Sequence, residues 1–125
     1  MRLLLDTNAL IWWLEGRARL APSARDAIGQ AEVDVFVSAA SAWEMAIKRA
    51  IGKLNVPDDL EAQVAAEGFT PLPITLRHAL EVARLPLHHR DPFDRLLVAQ
   101  ARLERLTLVT RDATLATYGV EVLEA

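Results

Sequence analysis

Short runs of β-favouring residues alternate along the chain with longer segments of helical period. The runs that predict strands are Arg2–Leu5, Asp34–Val37, Phe69–Ile74, Leu106–Val109 and Val120–Leu123. Their apolar residues are largely continuous, which is typical of strands buried on both faces of a parallel sheet. Within the third run, Pro71 and Pro73 favour extended backbone for the residues before them and indicate an edge position or an irregular connection.

Helix start signals precede most of the intervening segments. The predicted helices are Ala24–Ala31 after Pro22-Ser23, a run from Ser41 to Ile51, one from Pro57-Asp58-Asp59 to about Ala66, Leu76–Ala83 after Thr75, and one from Asp91 to about Leu103. Strands that alternate with helices predict an α/β protein with a central parallel sheet. We find no linker, repeat or low-complexity segment, so we expect one domain over residues 1–125.

Composition narrows the chemistry. The 125 residues are 52% hydrophobic and 25% charged, and they include no cysteine, which excludes disulfides and thiolate metal sites. The net charge of −3 provides no overall basic surface for a nucleic acid, so RNA binding would need a local arrangement or a metal ion.

The N-terminal apolar run is short and ends at Asp6, without the pattern of a signal peptide. The run from Ala9 to Leu14 is too short to span a bilayer. We therefore expect a cytoplasmic protein that does not associate with a membrane.

Four acidic residues lie where strands end or helices begin. Asp6 and Asp112 follow predicted strands, while Glu44 and Asp94 lie in the first turns of predicted helices. Ligands of open parallel sheets bind outside the carboxyl ends of the strands, so these four carboxylates can converge on one rim. Converging carboxylates repel one another, and a hard divalent cation such as Mg²⁺ is the usual compensation.

Helix capping is the alternative interpretation of the same acids. Ser41-x-x-Glu44 matches a capping box, Asp91 before Pro92 is a good N-cap, and Asp94 favours the positive end of the helix dipole. Asp112 can cap a short turn over Ala113–Ala116. Asp6 is the acid that a purely structural role explains least well, since it ends an apolar strand. Spacing alone leaves both interpretations open.

The sequence around these acids resembles the four motifs of PIN-domain nucleases. The matching segments, in order, are Leu4-Leu5-Asp6-Thr7-Asn8-Ala9-Leu10, Val37-Ser38-Ala39-Ala40-Ser41-Ala42-Trp43-Glu44, Asp91-Pro92-Phe93-Asp94-Arg95-Leu96-Leu97-Val98-Ala99-Gln100-Ala101 and Leu108-Val109-Thr110-Arg111-Asp112. The resemblance covers essentially the whole chain. With Trp12-Trp13 after the first motif and the Asp-Pro-Phe-Asp-Arg string, the compact form is most similar to VapC toxins of type II toxin–antitoxin systems.

The resemblance implies a three-layer α/β/α PIN-like fold, a homodimer, and endoribonuclease activity that depends on Mg²⁺ or Mn²⁺. It also implies inhibition by a VapB-type antitoxin. Asp6, Glu44 and Asp94 match the three core acids, and Asp112 matches the fourth. Supporting polar positions are matched by Thr7, Asn8, Ser38 and Thr110. Asp94 takes the metal role because an apolar helical stretch follows it directly, while Asp91 serves as the N-cap and can still join the ligands indirectly.

Basic and aromatic residues near the motifs are candidates for RNA contacts. The basic candidates are Lys48, Arg49, Arg90, Arg95 and Arg111, with ordinary surface charge as the competing interpretation. Trp12 and Trp13 can stack on bases, although core packing for one and a protein interface for the other are favoured. His88 and His89 have no partner identifiable in the sequence, and we leave them out of the predicted site.

Three other classes compete with a nuclease. A signalling receiver domain would need paired acids at Asp6 and a late lysine, and the only lysines are Lys48 and Lys53. A haloacid-dehalogenase-type phosphatase would need an Asp where Asn8 stands. The more serious alternative is a catalytically silent PIN-fold interaction module that binds an antitoxin-like partner.

Overall fold

The structure, a computed structural model, describes residues 1–125 and is built on a sheet of five parallel strands. The strands are β1 (Arg2–Leu5), β2 (Asp34–Ser38), β3 (Thr70–Leu72), β4 (Thr107–Thr110) and β5 (Val122–Glu124). The α-helices are α1 (Thr7–Leu14), α2 (Pro22–Gly29), α3 (Ala39–Ala50), α4 (Leu60–Ala66), α5 (Leu76–Val82) and α6 (Pro92–Glu104). A 3-10 helix, Ala113–Tyr118, lies between β4 and β5. None of the helices has the length and apolar character needed to cross a membrane.

Two apolar layers cover the two faces of the sheet. Leu3 and Leu5 of β1 pack into one layer, with residues of α1 to α4, while Leu4 packs into the other, chiefly with α6. Successive side chains of a strand point to opposite faces, so a continuous apolar strand needs cover on both sides. The predicted three-layer α/β/α fold with a central parallel sheet is confirmed.

The strand order places a crevice at the centre of the sheet. The order is β3-β2-β1-β4-β5, so the chain moves outward from β1 in one direction and then returns to the other side of β1 for β4. Ligands of open α/β sheets bind at such a reversal, beyond the carboxyl ends of the strands. Here the backbone N–H of Asp6 donates to the carbonyl of Val109 at 3.0 Å and holds the two strand ends together. β3 lies at an edge, as its prolines predicted.

Helix α3 begins earlier than the sequence predicts. The Ser38 hydroxyl is its N-cap and accepts a hydrogen bond from the Ala40 N–H at 2.9 Å, so β2 runs directly into the helix. The predicted start at Ser41 is therefore wrong, and so is the capping-box interpretation of Glu44. Glu44 lies in the second turn of α3 instead, where the residue is 7% exposed.

Helix α1 was not predicted, and it changes the interpretation of Asp6. The Asp6 carboxylate accepts a hydrogen bond from the Ala9 N–H at 2.8 Å and is the N-cap of this helix. The expectation that a structural role explains Asp6 least well was therefore wrong, since Asp6 caps a helix. All the candidate acids except Glu44 lie at a helix start, so capping and a shared site are compatible.

Candidate active site

A polar cleft of about 300 Å³ opens beyond the carboxyl ends of β1 and β4. The residues that line it are Asp6, Thr7, Asn8, Trp12, Glu44, Lys48, Asp91, Asp94, Thr110, Arg111 and Asp112. Each of the four sequence motifs contributes to this set, because strand ends and the helices that follow them meet at the point where the strand order reverses. The structure therefore brings the four predicted acids, and Asp91, to one cleft.

Asp6 is held at the floor of the cleft. It is 7% exposed, and burial raises the pKa of its carboxyl above the ordinary value. Hydrogen bonds from Thr110 and from the Ala9 N–H act in the opposite direction, while the nearby Glu44 and Asp112 carboxylates raise the pKa further.

Asp94 carries the largest shift in the cleft. Burial raises the pKa of its carboxyl to about 7, and repulsion from Asp91 and Asp6 adds to that effect. Asp91 is the N-cap of α6, as predicted, since its Oδ1 accepts from the N–H groups of Phe93 at 2.9 Å and Asp94 at 3.3 Å. Without a cation nearby, a substantial fraction of Asp94 is therefore protonated near neutral pH.

Glu44 approaches from α3 with both oxygens bound. Its Oε1 accepts from the Thr7 hydroxyl at 2.6 Å, and its Oε2 accepts from the Lys48 ammonium at 2.8 Å. The hydrogen bond to Glu44 raises the pKa of Lys48 and keeps that side chain charged beside the cleft. Thr7 and Lys48 thus fix the position of Glu44, the one acid of the cleft that lies beyond the first turn of its helix.

Asp112 is the N-cap of the 3-10 helix, which confirms its predicted capping role. Its Oδ1 accepts from the Thr114 N–H at 3.0 Å and hydroxyl at 2.6 Å, and the hydroxyl bond is the main cause of a lowered pKa at Asp112. Its Oδ2 pairs with His89 Nε2 at 2.8 Å. Ligand atoms of His89, Asp94 and Asp112 lie within 4.8 Å of one another.

His89 is a residue that sequence reasoning missed. It lies 23 positions from Asp112, in the loop between α5 and α6, and no spacing rule links a loop residue to a distant strand end. The only signal was its position two residues before Asp91. The contact depends on how the loop folds back over the start of α6.

The supporting polar residues divide into two groups. Thr110 accepts from the Asp112 N–H at 3.1 Å, and Asn8 lies exposed on the lining of the cleft. Ser38 is fully buried outside the cleft, where it caps α3 and donates to Gln100 Oε1 at 2.6 Å.

Of the five predicted basic contacts, Lys48 and Arg111 line the cleft. The Arg111 guanidinium lies 4.1 Å from the centre of the Trp12 ring and donates to the main-chain oxygen of Ala125. Arg49 pairs with Asp58. The Arg95 guanidinium donates to the carbonyls of Val82, Leu85, Pro86 and His89 and to the Tyr118 hydroxyl. Arg90 is exposed beside Asp91, and Trp13 is buried in the core.

The donor set fits a hard divalent cation. Burial and mutual repulsion hold the pKa of Asp6 and of Asp94 above the ordinary value, and a bound cation would relieve both effects. Carboxylate oxygens without thiolates are the ligands that suit Mg²⁺ and Mn²⁺. With a cation bound, such a cleft can orient a phosphodiester and promote its hydrolysis.

Comparison with known proteins gives a consistent result. The PIN domain family model matches residues 3–121. The chain is 33% identical over 122 residues to ribonuclease VapC22 of Mycobacterium tuberculosis, covering 92% of this chain and 90% of the relative. Two solved structures share the fold: VapBC2 from Rickettsia felis bound to a promoter DNA fragment (TM-score 0.72, 12% identity, 98% of both chains), and a toxin–antitoxin complex from Klebsiella pneumoniae (TM-score 0.67, 22% identity, 98% of this chain and 96% of that one).

Proposed function

The chain belongs to the PIN-domain family, with VapC-type ribonucleases among its relatives, and we propose that it is a magnesium-dependent endoribonuclease and the toxin of a VapBC-type pair. One observation carries the proposal: five acidic side chains line one cleft at the reversal of the strand order, and the pKa of two of them is raised. We propose that residues 1–125 form a single PIN-like domain.

Asp6 and Asp94 would hold the principal Mg²⁺, with Mn²⁺ as a substitute, and Glu44 and Asp112 would complete the site directly or through water. When bound, the cation supplies the positive charge that orients an RNA phosphodiester, activates a water for in-line attack and stabilises the leaving oxygen. Of this chain's own groups, the Ala9 N–H holds the Asp6 carboxylate and the Thr7 hydroxyl holds Glu44.

Two basic side chains support the phosphate-binding part of the proposal. Lys48 and Arg111 line the cleft, so their charges lie where an RNA backbone would pass. Arg90 stays a predicted contact at the exposed rim. Arg49 and Arg95 do not line the cleft and bind groups outside it, so we leave them out of the proposed RNA surface.

RNA cleavage assays test the nuclease. We expect the variants Asp6→Asn and Asp94→Asn to lose at least about 100-fold in Mg²⁺-dependent cleavage, because each removes a ligand charge from the cleft. Asp34→Asn is the matched control, since Asp34 is an exposed acid at the opposite end of β2. Undiminished cleavage by either cleft variant would contradict the proposed nuclease function. If the wild-type protein binds neither Mg²⁺ nor Mn²⁺ in a calorimetric titration, the silent interaction module is favoured.

Two exposed apolar stripes support the proposed protein partners, a VapB-type antitoxin and a second copy of the chain. Trp43, Ile47 and Ile51 form one stripe along α3, and Leu76 and Leu80 form another on α5, with both leucines more than 70% exposed. Helical residues four apart lie on the same face, and monomers rarely expose contiguous apolar patches without a partner.

Light scattering after size-exclusion chromatography tests the partner surfaces. We expect Leu76→Glu/Leu80→Glu to shift the protein towards monomer or to weaken antitoxin capture, with little change in its melting temperature because both side chains are exposed. Arg77→Glu is the matched control on the same helix. Assembly and antitoxin binding that both stay at wild-type levels would rule out this stripe.

A further inference from the structure

His89 contacts the acidic cleft from the loop between α5 and α6, an element to which none of the four acids belongs. Its Nε2 lies 2.8 Å from Asp112 Oδ2 and 3.6 Å from Asp94 Oδ2. Its Nδ1 accepts a hydrogen bond from the Asp91 N–H at 3.1 Å. The imidazole therefore touches the third and the fourth sequence motif at once.

These contacts fix the proton on the ring. A neutral imidazole carries one N–H, and Nδ1 here is an acceptor, so the proton is on Nε2. The Nε2–H then donates to the Asp112 carboxylate. A protonated nitrogen has no lone pair for a metal, which makes His89 a donor to a carboxylate rather than a ligand.

The loop that carries His89 is itself anchored. Arg95 Nη1 donates to the Pro86 carbonyl at 2.9 Å and lies 3.5 Å from the His89 carbonyl. The same nitrogen donates to the Tyr118 hydroxyl at 3.2 Å. Since Tyr118 ends the 3-10 helix that Asp112 begins, Arg95 and His89 link the loop to both ends of one segment.

We propose that His89 is a positioning residue that holds the Asp112 carboxylate towards Asp94. The inference rests on the proposed function, in which these two acids share a cation. Asp112 lies at the N-cap of the 3-10 helix, where Thr114 fixes only its Oδ1. A carboxylate held at one oxygen can still rotate, and the His89 donor at Oδ2 removes that freedom. Partners that orient ligands in this way typically change metal affinity by about 10–100-fold.

Manganese binding, followed by electron paramagnetic resonance, tests the inference in three variants. We expect His89→Ala to weaken Mn²⁺ binding about tenfold, and the Mg²⁺ concentration for half-maximal cleavage to rise in parallel. His89→Gln should stay close to wild type, because its amide Nε2 can donate at nearly the same point. His88→Ala is the matched control, since the neighbouring ring packs against Tyr118 at 5.1 Å and contacts no acid of the cleft.

Nitrogen chemical shifts of the His89 ring give a second readout that does not depend on metal or activity. We expect the Nε2–H form in the metal-free protein, and the same form after Mg²⁺ is added. If His89→Ala binds Mn²⁺ as tightly as a wild-type protein that does bind it, the inference fails and the proposed function stands. If the wild-type protein binds neither Mn²⁺ nor Mg²⁺, both fail. A proton found on Nδ1, with Nε2 free to ligate, would also overturn the positioning role.

Discussion

The structure contains two groups of polar side chains, the acidic cleft and a network centred on Gln100, and they differ in how completely their members bond to one another. The Gln100 cluster, which consists of Ser38, His78, Gln100 and Glu104, joins β2, α5 and α6. Ser38 donates to Gln100, Gln100 contacts the His78 ring at 3.3 Å, and His78 pairs with Glu104 at 2.9 Å. Every buried side-chain nitrogen and oxygen atom of this cluster has a hydrogen-bond partner.

The acidic cleft has an excess of acceptors instead. Its five carboxylates outnumber the cations that line the same space, and burial raises the pKa of Asp6 and Asp94. A closed network stabilises a single packing arrangement, whereas crowded carboxylates destabilise the protein unless a cation joins them. The contrast indicates that the Gln100 cluster supports the fold, and it agrees with our proposal that the cleft binds a cation.

The largest stability effect should come from opening the closed network. We expect Gln100→Ala to reduce the free energy of unfolding by about 2–4 kcal/mol, because the Ser38 and His78 groups lose a partner and a cavity forms. Urea denaturation measures the loss. Gln63→Ala, which removes a single surface hydrogen bond to Asp59, is the control and should change stability by less than about 0.5 kcal/mol. Equal effects of the two variants would contradict the assignment of Gln100 as a structural centre.

The pH dependence of stability should come from the cleft. The folded pKa of Asp94 is about 7, against an ordinary value of 3.8, so its contribution is fully present below about pH 4 and is lost as pH rises through 7. The metal-free protein should therefore be less stable at pH 8 than at pH 5, by about 1–2 kcal/mol after solvent screening. The lowered pKa of Asp112 acts only at more acidic pH. A profile that is just as steep in Asp94→Asn would exclude Asp94 as its source.

The same contrast explains what the sequence could predict. The strands and the N-cap Asp91 follow from local rules, because a continuous apolar run or an Asp before Pro92 determines its own structure. Helix α1 was not predicted from the sequence, because Leu10–Leu14 is apolar at every position and so has no helical period. The start of α3 was predicted at Ser41 rather than at Ser38, because the sequence does not show that β2 ends at Ser38 and runs directly into the helix.

Long-range contacts set the rest of the site. The bonds from Thr7 to Glu44 and from His89 to Asp112 join residues 37 and 23 positions apart, and neither spacing carries a local signal. The resemblance to known motifs predicted which acids meet in the cleft, but not the groups that hold them. Arg95 illustrates the limit: its sequence position made it one candidate for an RNA contact, while its guanidinium binds the loop before α6.

A smaller loss of stability is expected when one hydrogen bond to an acid of the cleft is removed. Thr7→Val removes the hydroxyl that donates to Glu44 at 2.6 Å, and we expect it to reduce the free energy of unfolding by about 1 kcal/mol. Thr7→Ser keeps the hydroxyl and should recover most of that loss. Thermal unfolding of the metal-free proteins compares them. If Thr7→Ser is as unstable as Thr7→Val, packing of the methyl group, rather than the hydrogen bond, holds Glu44.

Thermal unfolding of wild type and Asp94→Asn, with and without Mg²⁺, tests most directly whether the cleft is retained for a cation. At pH 8 we predict that metal-free Asp94→Asn melts above wild type, because it removes a buried charge that its neighbours repel. We predict that Mg²⁺ raises the melting temperature of wild type and has little effect on that of the variant. At a Mg²⁺ concentration of 100 times the dissociation constant, the free energy of unfolding of wild type should increase by about 2.7 kcal/mol. A destabilised variant, together with an equal Mg²⁺ response in both proteins, would contradict the account.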